Sequence, residues 1–198
     1  MSQNQRPLIL LALSFVQVLF ITGLLYIRTT DNFSGFYNTL FIITVICSSL
    51  LFTFGFSIFK QMSLVLNDHS KSISTIVFSQ LYLHIIIAAF IIFDHLYGRN
   101  HIAILLLSPF LIAFFITARI TWHACFTVLN SKIYKVFATG STALLVWSIV
   151  LTLLGLFYQQ RFLTENLHTI VLVYFALHFA ELGFVLLKIR KDLQVSGG

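Results

Sequence analysis

Two histidines inside long apolar stretches are the residues of this sequence most readily expected to do chemistry. His84 lies in the apolar run 73–96, and His178 lies in the run 167–187. At about 1.5 Å per helical residue, each lies roughly 16 Å from the start of its run, so both are near the middle of a bilayer. Ionisable groups in hydrocarbon are costly and usually mark functional sites. The pair could bind haem b or a transition metal, or relay a proton; each could instead hydrogen-bond a neighbouring helix.

Charged residues accompany these histidines at helical spacing. Glu181 lies one turn beyond His178, on a stripe that includes Tyr174 and Lys188, and Arg119 and His123 are four residues apart in another apolar run. An unpaired ionised side chain inside the membrane would have to lose its charge or extend to the headgroups. We therefore predict an intramembrane Arg119–Glu181 pair. In the alternative, Arg119 reaches the cytoplasmic headgroups and Glu181 is protonated. The predicted proton relay or substrate path consists of His84, Arg119, His123, His178 and Glu181.

Other polar residues give weaker indications of a site. A second group of metal-ligand types lies near the expected outer boundary, but it lacks closely spaced ligand pairs, so incidental interfacial residues are favoured over a zinc or copper site. Its members are Asp94, His95, His101 and His168.

Hydroxyls at 141, 148 and 152 form a stripe along the fifth apolar run, and Gln17 lies in the first apolar run. Such residues more often allow close helix packing than line a water-filled path. Cys47 and Cys125 suggest no disulfide framework.

Six apolar runs must position these residues. They cover about 8–27, 36–59, 73–96, 102–128, 136–157 and 167–187, and each is long enough to cross a hydrocarbon core of about 30 Å as a helix. Hydrophobic residues make up 59% of the chain and charged residues 9%, whereas about 25% of a soluble domain is charged. We therefore predict an all-α, polytopic integral membrane protein with one transmembrane domain, 1–198, in contact with the lipid bilayer.

The basic residues predict an orientation. With the amino terminus inside, nine of the twelve Lys and Arg residues lie on or toward the cytoplasmic side and three lie outside, namely Arg28, Arg99 and Arg161. Because Lys and Arg collect on the cytoplasmic side of membrane proteins, both termini are predicted to be cytoplasmic. The expected location is a bacterial inner membrane. The net charge of +6 thus reports orientation and does not indicate a nucleic-acid partner.

The two halves of the chain show a faint similarity. At offsets of about 94 to 100 residues, Leu83-His84 matches Leu177-His178 and Ser49-x-x-x-Thr53 matches Ser148-x-x-x-Thr152. With three spans in each half, the second copy would be inverted, as in many transporters that bind substrate near the midplane. Chance matching between two Phe- and Leu-rich halves is the competing explanation.

Three functions are compatible with these observations. The first is a small transporter or channel-like protein, for which the embedded His, Glu and Arg residues would allow coupling to protons. The second is a redox protein that binds haem or a metal through His84 and His178. The third is a non-catalytic membrane subunit that associates with other subunits or with itself. Phosphate-binding glycine loops, nucleophile elbows and metalloprotease helices are absent from the sequence, which disfavours an enzyme of those classes.

Overall fold

The computed structural model consists of six α-helices in sequence order. It describes the backbone of residues 5–30, 34–67, 71–97, 101–158 and 161–196, and the side chains of 5–27, 35–64, 73–93, 106–128, 130–154, 156–157 and 171–188. The helices are α1 (Gln5–Thr30), α2 (Ser34–Asn67), α3 (Lys71–Tyr97), α4 (His101–Leu129), α5 (Lys132–Tyr158) and α6 (Arg161–Ser196). The described part of the chain contains no β-strand.

The predicted class, an all-α protein with six membrane-spanning helices, is confirmed. Every helix contains a stretch long and apolar enough to cross a membrane, and each predicted span falls within one helix. Large apolar side chains remain exposed along these stretches, for example Phe15 at 65%, Leu19 at 72% and Phe157 at 76%. Because exposed apolar surface on this scale is not stable in water, these side chains contact the hydrocarbon of the bilayer. The protein is an integral, multi-pass membrane protein.

A two-residue connection joins α4 to α5. Asn130 adopts a left-handed backbone conformation, with φ of 45°, and its N–H donates to the carbonyl oxygen of Phe126 at 2.9 Å. This bond satisfies a carbonyl at the end of α4, and asparagine is one of the few residues other than glycine that readily adopts such a conformation. At the start of α5, the N–H of Tyr134 donates to the carbonyl of Ser131 at 3.1 Å. The connection therefore directs α5 back along α4 as an antiparallel neighbour.

The chain separates into two compact units. Unit 1 consists of residues 1–58 and 169–198, and unit 2 of residues 59–168. Unit 1 thus combines α1, most of α2 and the larger part of α6, whereas unit 2 contains the end of α2 with α3, α4 and α5. These units do not follow the boundary between the two sequence halves. The inverted repeat and the single transmembrane domain both stay predictions.

Small residues bring the helices of unit 1 close together. A Cβ atom placed on Gly55 of α2 would collide with the ring of Phe179 of α6, and one on Gly183 of α6 would lie 3.1 Å from Cγ of Leu11 of α1. Glycine at such positions lets membrane helices approach closely, and the van der Waals contacts made in this way stabilise helix association in lipid. The core of unit 1 is built around these contacts.

In unit 2, α4 packs against both α3 and α5. Aromatic rings form much of this packing: Phe90 of α3 lies 6.2 Å from Phe110 of α4, and Trp122 of α4 lies 5.3 Å from Phe137 of α5, between ring centroids. The predicted hydroxyl stripe of α5 contributes Ser141 and Ser148, which are both buried. Their small side chains fit the packing interpretation of that stripe.

Candidate functional site

An acidic and a basic side chain meet within α6 of unit 1. The Nδ1 atom of His178 lies 3.6 Å from Oε2 of Glu181, because residues three apart face the same side of a helix. His178 is buried, whereas the side chain of Glu181 is 33% exposed. Glu181 lies ten residues after Val171 and seven before Lys188 in the membrane-spanning stretch, so it is roughly 10 to 15 Å from either end. Ionisable groups at this depth are candidates for function.

A line of polar side chains joins α1 to α2 in the same unit. The amide Nε2 of Gln17 donates to the hydroxyl oxygen of Ser48 at 2.7 Å, and Ser14 lies one turn before Gln17 on the same face of α1. Thr44 lies one turn before Ser48 on α2. Of these four residues, Ser14, Gln17 and Thr44 are each only 1% exposed. We call Ser14, Gln17, Thr44 and Ser48 the polar seam.

The hydroxyl protons of the polar seam are all used within their own helices. Ser14 donates to the carbonyl of Leu10 at 2.8 Å, Thr44 to that of Leu40 at 2.8 Å, and Ser48 to that of Thr44 at 2.9 Å. The oxygens therefore present lone pairs to their surroundings. Oε1 of Gln17 has no hydrogen-bond partner among the described residues, although a buried polar atom left unsatisfied costs about 1–3 kcal/mol.

The opposite amide orientation of Gln17 would be less favourable. With Oε1 facing Ser48, the hydroxyl would have to release the Thr44 carbonyl to donate to it, and both N–H groups of the amide would then need other acceptors. The orientation described above leaves Oε1 of Gln17 as a buried acceptor.

The polar seam and His178 lie at about the same level of unit 1. Gly183 of α6 packs against Leu10 and Leu11 of α1, and His178 precedes Gly183 by five residues, or about 7.5 Å. The first and sixth of six membrane-crossing helices run in opposite directions, so the matching level on α1 lies about five residues beyond Leu11. That level falls close to Gln17. Three helices of unit 1 thus place polar groups in the middle of the membrane.

A second buried polar group occurs in unit 2 around His84 of α3. The ring is fully buried, and its Nδ1 lies 2.7 Å from the carbonyl oxygen of Gln80. Because a carbonyl can only accept, the proton of the neutral ring lies on Nδ1 and the lone pair on Nε2. The ring of Phe114 contacts His84 edge-to-face, with centroids 4.3 Å apart, and the ring of Phe59 lies at 6.4 Å. His84 is therefore held in an aromatic environment with a defined tautomer.

The side chain of Gln80 connects this group to α4. Its Nε2 donates to the hydroxyl of Thr121, which in turn donates to the carbonyl of Thr117 at 3.0 Å. Gln80 and Thr121 are both buried. Gln80 thus links His84 to α4, because its backbone carbonyl contacts the His84 ring and its side chain donates to Thr121.

Comparison with protein-family models, curated proteins and solved structures finds no match for this chain.

The structure places the predicted site residues in several environments. His178 and Glu181 lie together as the spacing predicts, whereas Arg119 and His123 are exposed on α4. His84 and Arg119 belong to unit 2, and His178 and Glu181 belong to unit 1, so the Arg119–Glu181 pair and the joint ligation of haem by both histidines stay predictions. The side chains of the weak outer group, Asp94, His95, His101 and His168, lie outside the described residues.

Metal-ligand side chains are dispersed in the part of the chain that the structure describes. Within it, no three His, Cys, Asp or Glu residues come together in a way that could hold a metal ion. Cys47 and Cys125 are both free and buried.

The polar seam is the feature that sequence reasoning missed. In the sequence, Gln17 is interpreted as a packing residue, and the faint repeat points to Ser49 and Thr53 instead of Ser48 and Thr44. Ser49 and Thr53 are not buried, and they donate to carbonyls of their own helix. A signal was present on α1, where Ser14 and Gln17 are polar residues three apart in a mostly apolar run, because polar residues inside a membrane span usually face a neighbouring helix.

Proposed function

We propose that this protein is a small channel-like transporter that moves protons across the membrane past His178 and Glu181. The observation that carries the proposal is the 3.6 Å separation of His178 Nδ1 from Glu181 Oε2 in the middle of α6. Carboxylate and imidazole groups within a membrane are typical of proton relays. A buried structural helix has no need of such a pair, since apolar residues would pack there without a desolvation cost.

The side chains of Glu181 and His178 differ in how far they are exposed, and this difference suits the transfer of a proton from one to the other. The partly exposed carboxyl of Glu181 can exchange a proton with its surroundings, and the buried ring of His178 can receive it. Their separation exceeds that of a normal hydrogen bond, so a small side-chain rotation or one bridging water would complete the transfer. Beyond His178, the next polar groups at this level of unit 1 are Gln17 and Ser48.

Proton flux into liposomes tests this function. The purified protein is reconstituted, a K⁺ diffusion potential is imposed with valinomycin, and internal pH is followed with a dye. We expect the wild type to carry protons well above the protein-free rate, and Glu181→Gln to lower the protein-dependent rate at least tenfold. Ser49→Ala, which changes an exposed hydroxyl of α2, is the matched control and should conduct as the wild type does. A wild-type rate equal to that of empty liposomes, or an unchanged rate in Glu181→Gln, refutes the proposal.

A second candidate function is supported by His84. Histidines that bind metals generally donate their other ring N–H to a carbonyl or carboxylate, and the Nδ1–H of His84 is directed at the carbonyl of Gln80. This arrangement suits ligation of haem b or a transition metal by Nε2, with His178 as the second ligand predicted from the sequence. A Soret band or bound metal that is lost in His84→Ala would support this function. A colourless, metal-free protein that conducts protons fully would exclude it.

The proposal also includes the orientation of the protein, its membrane and its assembly. The nine-to-three distribution of Lys and Arg supports an orientation with both termini in the cytoplasm, and we propose a bacterial inner membrane as the location. Self-association or assembly with other membrane subunits would be recognised by a stoichiometric partner that copurifies. Such a partner, together with an inactive isolated protein, would favour a role as a non-catalytic subunit over transport.

A further inference from the structure

The polar seam presents hydrogen-bond acceptors to its surroundings. All three of its hydroxyls donate to backbone carbonyls of their own helices, and Oε1 of Gln17 is a buried acceptor with no partner among the described residues. Neutral oxygens that present only lone pairs attract a positive charge. From this arrangement we propose that the seam binds an alkali cation, with Oε1 of Gln17 as its principal ligand.

The uncharged oxygen ligands of the polar seam favour a monovalent cation over a divalent one. Hard cations bind oxygen ligands, but Ca²⁺ and Mg²⁺ sites depend on carboxylates, and the seam consists of an amide and three hydroxyls. A monovalent ion loses less hydration on entering such a site than a divalent ion does. In membrane transporters, sites for Na⁺ also lie near the midplane and use uncharged oxygens.

The surrounding charges are compatible with a cation at this position. The basic side chain described on α1 is Arg6, which lies eleven residues before Gln17, or roughly 16 Å along the helix. Its Nη1 donates to the hydroxyl of Ser57 at 2.8 Å, so its charge is held near the start of α1. On α6, the Glu181 carboxyl lies within about one helical turn of the level of the seam and would favour a nearby positive charge.

The predicted site uses residues from two helices, and the bond between them orients its main ligand. Donation from Nε2 of Gln17 to Ser48 at 2.7 Å fixes the amide plane, so that Oε1 is preorganised. A second hydroxyl from each helix, Ser14 and Thr44, lies one turn away on the same face. This inference goes beyond proton movement, because cation binding is an equilibrium property that can be measured whether or not the protein conducts protons.

Thermal unfolding in the presence of different cations tests the inference. The purified protein is unfolded in detergent with NaCl, KCl or LiCl, and with N-methylglucamine chloride at equal ionic strength. A ligand that binds the folded state raises Tm as its concentration increases, so we expect a saturable rise in Tm with at least one alkali cation. Gln17→Met, which keeps the length of the side chain and removes the oxygen, should increase the half-saturating concentration at least tenfold. Ser49→Ala, on the lipid-facing side of α2, should leave it unchanged.

A second pair of measurements keeps the inference testable if Gln17→Met does not fold. Ser48→Ala removes the partner that orients the amide, and it should also weaken the cation-dependent rise in Tm. Equilibrium binding of the alkali cation that raises Tm at the lowest concentration should approach one ion per chain. The inference is overturned if Tm in alkali chlorides equals that in N-methylglucamine chloride, as it would if Gln17 held only a water molecule. It is also overturned if Gln17→Met and Ser48→Ala respond to the cations as the wild type does.

Discussion

Gly55 of α2 and the ring of Phe179 of α6 lie so close together that no side chain fits between them. A Cβ atom on Gly55 would come within 3.1 Å of Cδ1 and 3.2 Å of Cζ of that ring, with Cε1 nearer still. The ring cannot easily move away, because it is buried and also makes an edge-to-face contact with Phe52, with centroids 5.7 Å apart. This contact sets the level of α6 relative to α2, and with it the position of His178 in unit 1.

Gly55→Ala should therefore destabilise the protein by about 1–3 kcal/mol, the usual cost of overpacking a tight core. Gly140→Ala is the matched control, because a Cβ atom there meets nothing within 4 Å and alanine is the better helix former. Unfolding in detergent, followed by tryptophan fluorescence, measures both variants. Equal stability of Gly55→Ala and the wild type would contradict the close packing of α2 on α6.

Thr121→Val should destabilise the protein by about 1 kcal/mol. The substitution keeps the shape of the side chain and removes the hydroxyl that accepts from Gln80, which leaves a buried amide donor to be satisfied elsewhere. Hydrogen bonds between membrane helices have modest average values, so a larger loss is not expected. The control is Thr139→Val, because the Thr139 hydroxyl is exposed and donates to the Lys135 carbonyl of its own helix. A double-mutant cycle with Gln80→Leu should show coupling, and strict additivity would argue against the bond.

The neutral ring of His84 should carry its proton on Nδ1. Nitrogen-15 NMR of protein labelled at histidine distinguishes the two tautomers, and His84→Phe identifies the signal by its loss. The exposed ring of His123 provides a comparison within the same spectrum, since no hydrogen bond of the described structure fixes its tautomer. An Nε2-protonated His84 would contradict the hydrogen bond to the Gln80 carbonyl and would remove the basis for metal ligation through Nε2.

The carboxyl terminus should be cytoplasmic. Green fluorescent protein fused after residue 198 should fluoresce, whereas alkaline phosphatase at the same point should be inactive, because it folds only outside the cytoplasm. Phosphatase fused after Arg99 should be active. The opposite pattern would reverse the orientation inferred from the distribution of Lys and Arg.

The sequence predicts the helices of this protein well because lipid imposes a simple requirement. Backbone groups in hydrocarbon must bond within the same segment, so apolar runs of sufficient length become helices. The predicted spans differ from the helices mainly at their ends: α2 continues to Asn67 and α6 to Ser196, because helices extend beyond the hydrocarbon into the headgroup region. The His178–Glu181 contact was also predictable, since it depends on spacing along one helix.

The bond between Gln17 and Ser48 was not predictable in the same way, because it depends on the rotation of two helices about their axes. In water, an apolar stripe identifies the buried face of a helix, but lipid is as apolar as a protein core and removes that contrast. Ser48 and Ser49 illustrate the difficulty: neighbours in sequence, they face different surroundings, and only Ser48 receives the Gln17 amide. The assignment of a functional residue at this position requires coordinates.

The short link at Asn130 and Ser131 has a consequence for biosynthesis. The three steps from Leu129 to Lys132 span at most about 11 Å, so the adjoining ends of α4 and α5 cannot separate by more than about a third of the hydrocarbon thickness of about 30 Å. Neither helix can leave the translocon for the lipid while the other remains far behind. The two should enter the membrane together as a preformed helical hairpin, and the α4–α5 contact would then form during insertion and not after it.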